Sequence, residues 1–486
     1  MQENLPSGAS IETAPGYPPV VSYTLKNGLK LLVLEKNFAP TISFSLAFRA
    51  GSVDCPPGKT GLAHLFEHMA FKGTETINTR DYAGEKAALD KVERAAAALI
   101  AAKGGQAQDR ARVAVLEREM AAAEEEADAF VVMDEYSQIY RGLGQYGLNA
   151  GTAQDYTFYV VSLPANRLEA WMAIESERFA RPVLREFYRE RSVVMEEQRM
   201  YAAQPDRALM DRLMSEALTA HPYRTPIGGL MEDIERLTRT DAEKFYREFY
   251  VPNNAAMAVV GDVRPAEVIR LAEKYFAGWE PRPLPAADYP REPEQAAEKR
   301  FAMPFNAEPS LRMAFHNPGY GSPDIYPLIM ASEVLSGGKT GRFYRNLVEG
   351  RQLALYAFSE HATGTRYPSL FVIAAAPRAP HTAEELEGAV WEELAALAAR
   401  PPSAWELEKI VNNREAEMVK NLEAGLETAQ ILSLSQQVCG DWRFDWKVTE
   451  ALRAVKPADV SAAAARYLTR RNCTIGVISR PAGGPK

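Results

Sequence analysis

A chain of 486 residues is longer than one hydrophobic core organises, so two or more domains are expected. Its composition, 47% hydrophobic and 25% charged, is that of an ordinary globular protein without a membrane span, and a net charge of -8 leaves no basic stripe for nucleic acid. Cys55, Cys439 and Cys473 are odd in number and far apart, which excludes a disulfide framework and a thiolate zinc site; any metal must use histidine and carboxylate.

The amino terminus, MQENLPSGASIETAPGYPPV, is polar and rich in Pro and Gly, and residues 1–17 read as a flexible tail. It contains no basic segment followed by an apolar core. A secreted chain already freed of its signal would read the same, which leaves periplasm and cytoplasm both open. Val20 to Leu34 alternates apolar and polar residues on both sides of Asn27-Gly28, a hairpin signal. Thr41 to Ala50 reads as a further strand, leading through GSVDCPPGKT into TGLAHLFEHMAFKG, Thr60 to Gly73.

In that stretch His64, Glu67 and His68 fall on one side of a short helix, and Leu62, Leu65, Phe66 and Met69 on the other. Thr60 is the expected N-cap and Gly73 the expected stop. Two imidazoles one turn apart can close on a single metal ion, and HxxEH inverts the commoner HExxH zinc motif, which needs the same two imidazoles and a carboxylate. The bland alternative is a pair of helix-surface histidines.

From about 83 to 135 the sequence turns to Ala, Glu, Lys and Arg, broken at Gly104-Gly105. It reads as an inserted hairpin of two charged helices with solvated faces. Strand character returns from Gly147 to Pro164, followed by helical sequence from Asn166 to Phe179. In the helix expected over Glu186 to Met200, Glu190, Val193, Val194 and Glu197 share a stripe while Glu196 points elsewhere. Two carboxylates on a valine stripe should be partly buried and need a cation, either a metal or an arginine such as Arg189 or Arg191.

Leu237 to Asp262 and Val455 to Ser479 resemble one another: each has a helix ending at Tyr250 or Tyr467, a polar turn with Asn254 or Asn472, then an apolar strand. The chain therefore reads as a duplication with a period near 217 residues. Residues 278–300, rich in Pro and charge, read as the linker. The second copy has YPLIMASEVLSGG where the first has HLFEH, and cannot hold the same metal.

HLFEHMAFKGT, a later RERSVVMEEQR and two related halves of which only the first carries the motif resemble the pitrilysin family of zinc peptidases. Further matches are LNAGTAQDYTFYV, HPYRTPIGG and GRFYRNLVEGRQLA. The resemblance implies that His64, His68 and Glu197 bind Zn2+, that Glu67 is the catalytic base and that Glu190 supports the site. It implies an α+β fold of two homologous domains, each a largely antiparallel sheet backed by helices: a catalytic domain over 18–277 and a second over 301–482. Asn149 and Ala150 fall on the family's substrate-binding edge strand. Arg351 and Tyr356 lie near a substrate-holding Arg and Tyr of the family, at a different spacing. The implied activity is endopeptidase cleavage of peptides in a closed chamber. Four such domains close the chamber, so a second chain, another copy or an inactive paralogue, is implied as partner. The alternative is a non-catalytic peptide-holding or scaffolding subunit. His221 reads as structural, and His316, His361 and His381 have no partner at ligand spacing.

Overall fold

The computed structural model describes residues 5–104, 109–287, 289–362 and 366–480; Gly105, the second glycine of the expected helical break, lies outside them. Two compact units are present. One comprises Met1–Gln198, Ile227–Ala287 and Leu422–Trp442, the other Arg199–Pro226, Asp288–Asn421 and Arg443–Lys486.

The first unit is built on seven strands: β1 (Ser10–Glu12), β2 (Val20–Thr24), β3 (Lys30–Glu35), β4 (Thr41–Phe48), β5 (Tyr146–Thr152), β6 (Thr157–Pro164) and β7 (Ala255–Gly261). They lie in the order β1-β2-β3-β7-β4-β6-β5, and only the β3–β7 pairing is parallel. β2 and β3 form the hairpin expected at Asn27-Gly28, where Gly28 takes φ 89. Two sequence expectations are corrected. Ser10–Glu12, inside the stretch read as a flexible tail, pairs with β2 as an edge strand. The stretch from Gly147 to Pro164 is two antiparallel strands, because Ala153–Tyr156 turns the chain back on itself.

β4 is buried on both faces after the exposed Thr41, and the polar side chains it buries are the two serines Ser43 and Ser45. Phe44 stacks on Trp171 at 4.0 Å on one face. On the other, Ser45 bonds Ser433 at 2.7 Å, a residue of helix Gly425–Cys439 that comes from far along the chain to cover β4 and β7. The helices that matter for the site are α1 (Leu62–Met69), α2 (Tyr82–Lys103), α3 (Arg110–Asp128), α4 (Glu135–Leu143), α5 (Leu168–Ala180) and α6 (Phe187–Ala202). Helices α2 and α3 are the expected hairpin, begun by Asp81 and Asp109 as N-caps. Ala88, Leu89, Val92 and Ala96 of α2 nevertheless join the core of this unit, so that helix is more than a solvated arm.

The second unit holds β8 (Lys299–Pro304), β9 (Ser310–Asn317), β10 (Ala354–Ala362), β11 (Ser369–Pro377) and β12 (Cys473–Ser479) in the order β10-β11-β9-β12-β8. Only β12–β8 is parallel. This repeats β5-β6-β4-β7-β3 of the first unit strand for strand. The duplicated asparagines repeat as well. Asn254 Nδ2 donates to the Phe249 and Arg49 carbonyls, closing a helix and tying it to the end of β4. Asn472 Nδ2 donates to the Tyr467 and His316 carbonyls, doing the same beside β9. The fold is thus α+β, with two sheets backed by helices.

Candidate metal centre

Helix α1 buries Leu62, Leu65, Phe66 and Met69, and Phe66 lies against Tyr250 with ring centroids 4.1 Å apart. Its start differs from the sequence expectation. Thr60 does not cap α1; its Oγ1 donates to Asp233 at 2.6 Å, and Gly61 at φ 90 makes the turn into the helix. The close approach of Gly61 to the Gly228 carbonyl leaves no room for a threonine-type cap. The helix ends at Met69, and the buried Arg178 donates from Nε to the Ala70 carbonyl at 2.8 Å, placing a cation at the negative end of the helix dipole.

On the polar face of α1, His64 and His68 meet Glu197 of α6. His64 Nε2 lies 3.7 Å and His68 Nε2 3.5 Å from Glu197 Oε2, and one ligand atom from each residue falls within 4.8 Å of the others. Among the described residues no other group of three His, Cys, Asp or Glu has this geometry. Tetrahedral zinc, with bonds of about 2.0–2.1 Å, separates its donors by roughly 3.3 Å. The carboxylate–imidazole distances are too long for hydrogen bonds and match the spacing a bridging cation leaves. Two imidazole nitrogens and one carboxylate oxygen are also the donor set of open zinc sites.

The site residues are held from behind. His68 Nδ1 lies 3.0 Å from Glu190 Oε1; an ionised carboxylate only accepts, so Nδ1 carries the proton and the Nε2 lone pair faces Glu197. Burial would raise the Glu190 carboxyl, but His68 and Lys72 beside it bring it down to about 2. Burial would lower His68, yet the carboxylates of Glu190, Glu67 and Glu197 raise it. Glu67 is raised chiefly by burial, and Thr152 Oγ1 at the end of β5 donates to its Oε2 at 2.7 Å. A cavity of about 470 Å³ opens beside Glu67 and His68, with Phe71, Lys72, Met133 and Glu186 in its wall.

The valine stripe expected on α6 is half right. Val194 is fully buried, whereas Val193 is 48% exposed, because α6 packs its Val194 side into the core and turns its Val193 side outward. Thr152 and Lys72 were not singled out in the sequence. Lys72 could have been, since it follows His68 by four residues; Thr152 carries no signal of its own. Asn149 and Ala150 lie on β5, which pairs only with β6 and ends the sheet, so its other edge is open among the described strands. In the second unit Arg351 Nη1 is held by Glu392 Oε2 at 2.5 Å, and Tyr356 sits on β10 beside Phe358. His221 Nδ1 accepts from the Tyr223 N–H, His316 Nε2 meets the Ala217 carbonyl and His381 Nδ1 meets Glu385.

Residues 31–92 match the family model described as Insulinase (Peptidase family M16), and residues 236–414 match the one described as Peptidase M16 inactive domain. The zinc protease PqqE of Helicobacter pylori is 27% identical over 88% of this chain and 85% of its own. An uncharacterised zinc protease of Bacillus subtilis, YmxG, is 22% identical over 95% of this chain and 98% of its own. A crystal structure of a protease from Helicobacter pylori superposes with a TM-score of 0.78, covering 95% of this chain and all of the other at 24% identity, a likeness of fold. With matched segments in both halves, an amino-terminal half that carries the histidine motif and a carboxy-terminal half that lacks it, the chain belongs to the M16, insulinase and pitrilysin-like, peptidase family.

Proposed function

We propose that this protein is a zinc-dependent endopeptidase acting on peptides or unfolded polypeptides, with His64, His68 and Glu197 as metal ligands and Glu67 as general base. One observation carries the reading: three donor atoms from α1 and α6 converge within 4.8 Å beside a partly buried carboxylate, Glu67, whose pKa is raised. Bound zinc supplies Lewis-acid chemistry, bringing the pKa of water toward about 7 and polarising a carbonyl. Glu67 takes the proton of the attacking water and returns it to the leaving amine. Thr152 occupies Oε2, so the transfer falls to Oε1. Glu190 fixes the His68 tautomer. The open edge of β5 accepts the substrate as an added strand, Asn149 and Ala150 bonding its backbone, which suits many sequences in extended form. Arg351 would have to leave Glu392 to hold substrate, so the proposal gives Arg351 and Tyr356 a lesser part and assigns chamber closure to a second chain, another copy or a paralogue.

The test is zinc content together with cleavage of an unstructured fluorogenic peptide library, for the wild type and Glu67→Gln. Retained zinc with cleavage reduced by about 10²-fold or more supports the assignment. Zinc binding without cleavage by the wild type, alone or with a paralogue, supports a peptide-holding subunit instead. Light scattering gives the number of chains.

A further inference from the structure

The second carboxylate oxygen of Glu190 faces a lysine. Lys72 Nζ lies 2.7 Å from Glu190 Oε2 and 3.3 Å from Glu186 Oε2. Glu186 and Glu190 are one helical turn apart at the start of α6, and their carboxylates, both largely shielded from solvent, would repel each other without a shared cation. Glu186 holds an uncommon backbone conformation for a side chain of its kind, φ 57, and its other oxygen accepts from Arg189, which reaches Asp128 of α3. The backbone of Lys72 is fixed in turn. Arg185, fully buried, donates to the carbonyls of Lys72, Thr74 and Ile77 and forms a two-pronged pair with Glu85 of α2 at 2.6 and 3.1 Å. Gly73 at φ 90 allows this loop, since a methyl group there would stand 2.4 Å from the Ile77 carbonyl. The helical hairpin thus reaches this cluster twice, through Glu85 and through Asp128.

From this geometry we infer that Lys72 is a positioning residue for the metal ligand His68, and that the inserted hairpin holds it in place. Lys72 keeps Glu190 against Nδ1 of His68, and Arg185 with Glu85 keeps Lys72 within reach of Glu190. The inference rests on His68 being a metal ligand, but not on peptidase activity. A carboxylate that loses its cation can swing toward solvent; His68 then loses both its tautomer and its ring orientation.

The experiment is zinc affinity of the full-length protein, measured by competition with a chromophoric chelator, and the visible spectrum of the cobalt-substituted protein. Lys72→Met should weaken zinc binding 10- to 100-fold and alter the cobalt spectrum, with Lys72→Arg restoring most of the affinity. Glu186→Gln, which leaves Lys72 to Glu190 alone, should bind zinc as tightly as the wild type. If Lys72→Met does not fold, the mixed pair Glu186→Gln and Lys72→Arg is read instead, and weakened binding in Glu186→Gln overturns the inference. So does wild-type affinity in a folded Lys72→Met. Absence of peptide cleavage with this order of zinc affinities would refute the proposed function alone; absence of zinc binding by the wild type would refute both.

Discussion

At φ 90, Gly61 turns the chain into α1, and a methyl group built on it would stand 2.6 Å from the Gly228 carbonyl oxygen. Gly58, at φ 75, has nothing within 4 Å of that position. Both glycines meet the cost of a left-handed backbone for other residues, about 1 kcal/mol, but only Gly61 adds a clash with backbone that cannot move aside. Gly61→Ala should therefore lose roughly 3 kcal/mol of stability by chemical denaturation and Gly58→Ala about 1 kcal/mol. Equal losses would deny Gly61 its special place ahead of His64. His361 in the second unit sets a pH dependence. Asn317 Oδ1 accepts from the Ser369 N–H, so Nδ2 donates to His361 Nδ1 at 3.1 Å and that nitrogen carries no proton. Burial pushes the imidazole down to about 4, against about 6.5 in an unfolded chain. Between those values the unfolded state binds a proton that the folded state refuses, so stability rises with pH across the window and is lost as pH falls through it. The loss should approach roughly 3 kcal/mol by pH 4 and shrink in His361→Gln. Superimposable stability–pH curves for the two proteins would contradict it.

At the scale of elements, the α2–α3 hairpin separates two kinds of ion pair. Arg185 and Glu85 are 1% and 0% exposed, whereas Arg189 and Asp128 are 50% and 41% exposed. Removing Glu85 leaves a buried guanidinium without its charge partner, so Glu85→Ala should cost about 3–5 kcal/mol, and Asp128→Ala less than about 1 kcal/mol. Urea unfolding of the two variants checks the contrast. The same hairpin shows what the sequence could and could not say. Its two helices and the break near Gly104 were legible because Ala, Glu, Lys and Arg favour helix and Gly does not. The inward face of α2 was not, because alanine packs into a core as readily as it sits in water. HxxEH was legible because a spacing of four residues on a helix brings two imidazoles together by local geometry alone. Glu197 was reachable through the carboxylate stripe and the resemblance. Thr152 was not, because it meets Glu67 only after β5 has joined the sheet, a tertiary event without a local pattern.

For the molecule as a whole, duplication of one α+β plan, with a candidate metal cluster in only one copy among the described residues, predicts an asymmetric response to metal. The two sheets share five strands in the same order, so their intrinsic stabilities have a common architectural source. His64, His68 and Glu197 all belong to the first unit, and the second has an apolar helix, Ile325–Ser336, after its corresponding strand. A ligand that binds only the folded form stabilises it by RT ln(1 + [L]/Kd), about 2.7 kcal/mol at a free concentration one hundred times Kd. Stripping zinc with a chelator should therefore lower the melting of the first unit by several degrees, roughly 5–10 °C for a unit of this size. Hydrogen–deuterium exchange followed by mass spectrometry can assign that loss to segments. Peptides covering α1, β4, β7 and α6 should exchange faster once zinc is removed, while those covering β9, β11 and β12 keep their protection. Equal acceleration in both sets would mean that the two units unfold as one cooperative block and that the metal stabilises the whole chain. No change in either set would mean that the cluster holds no zinc at the concentrations used, and the proposed chemistry would lose its foundation.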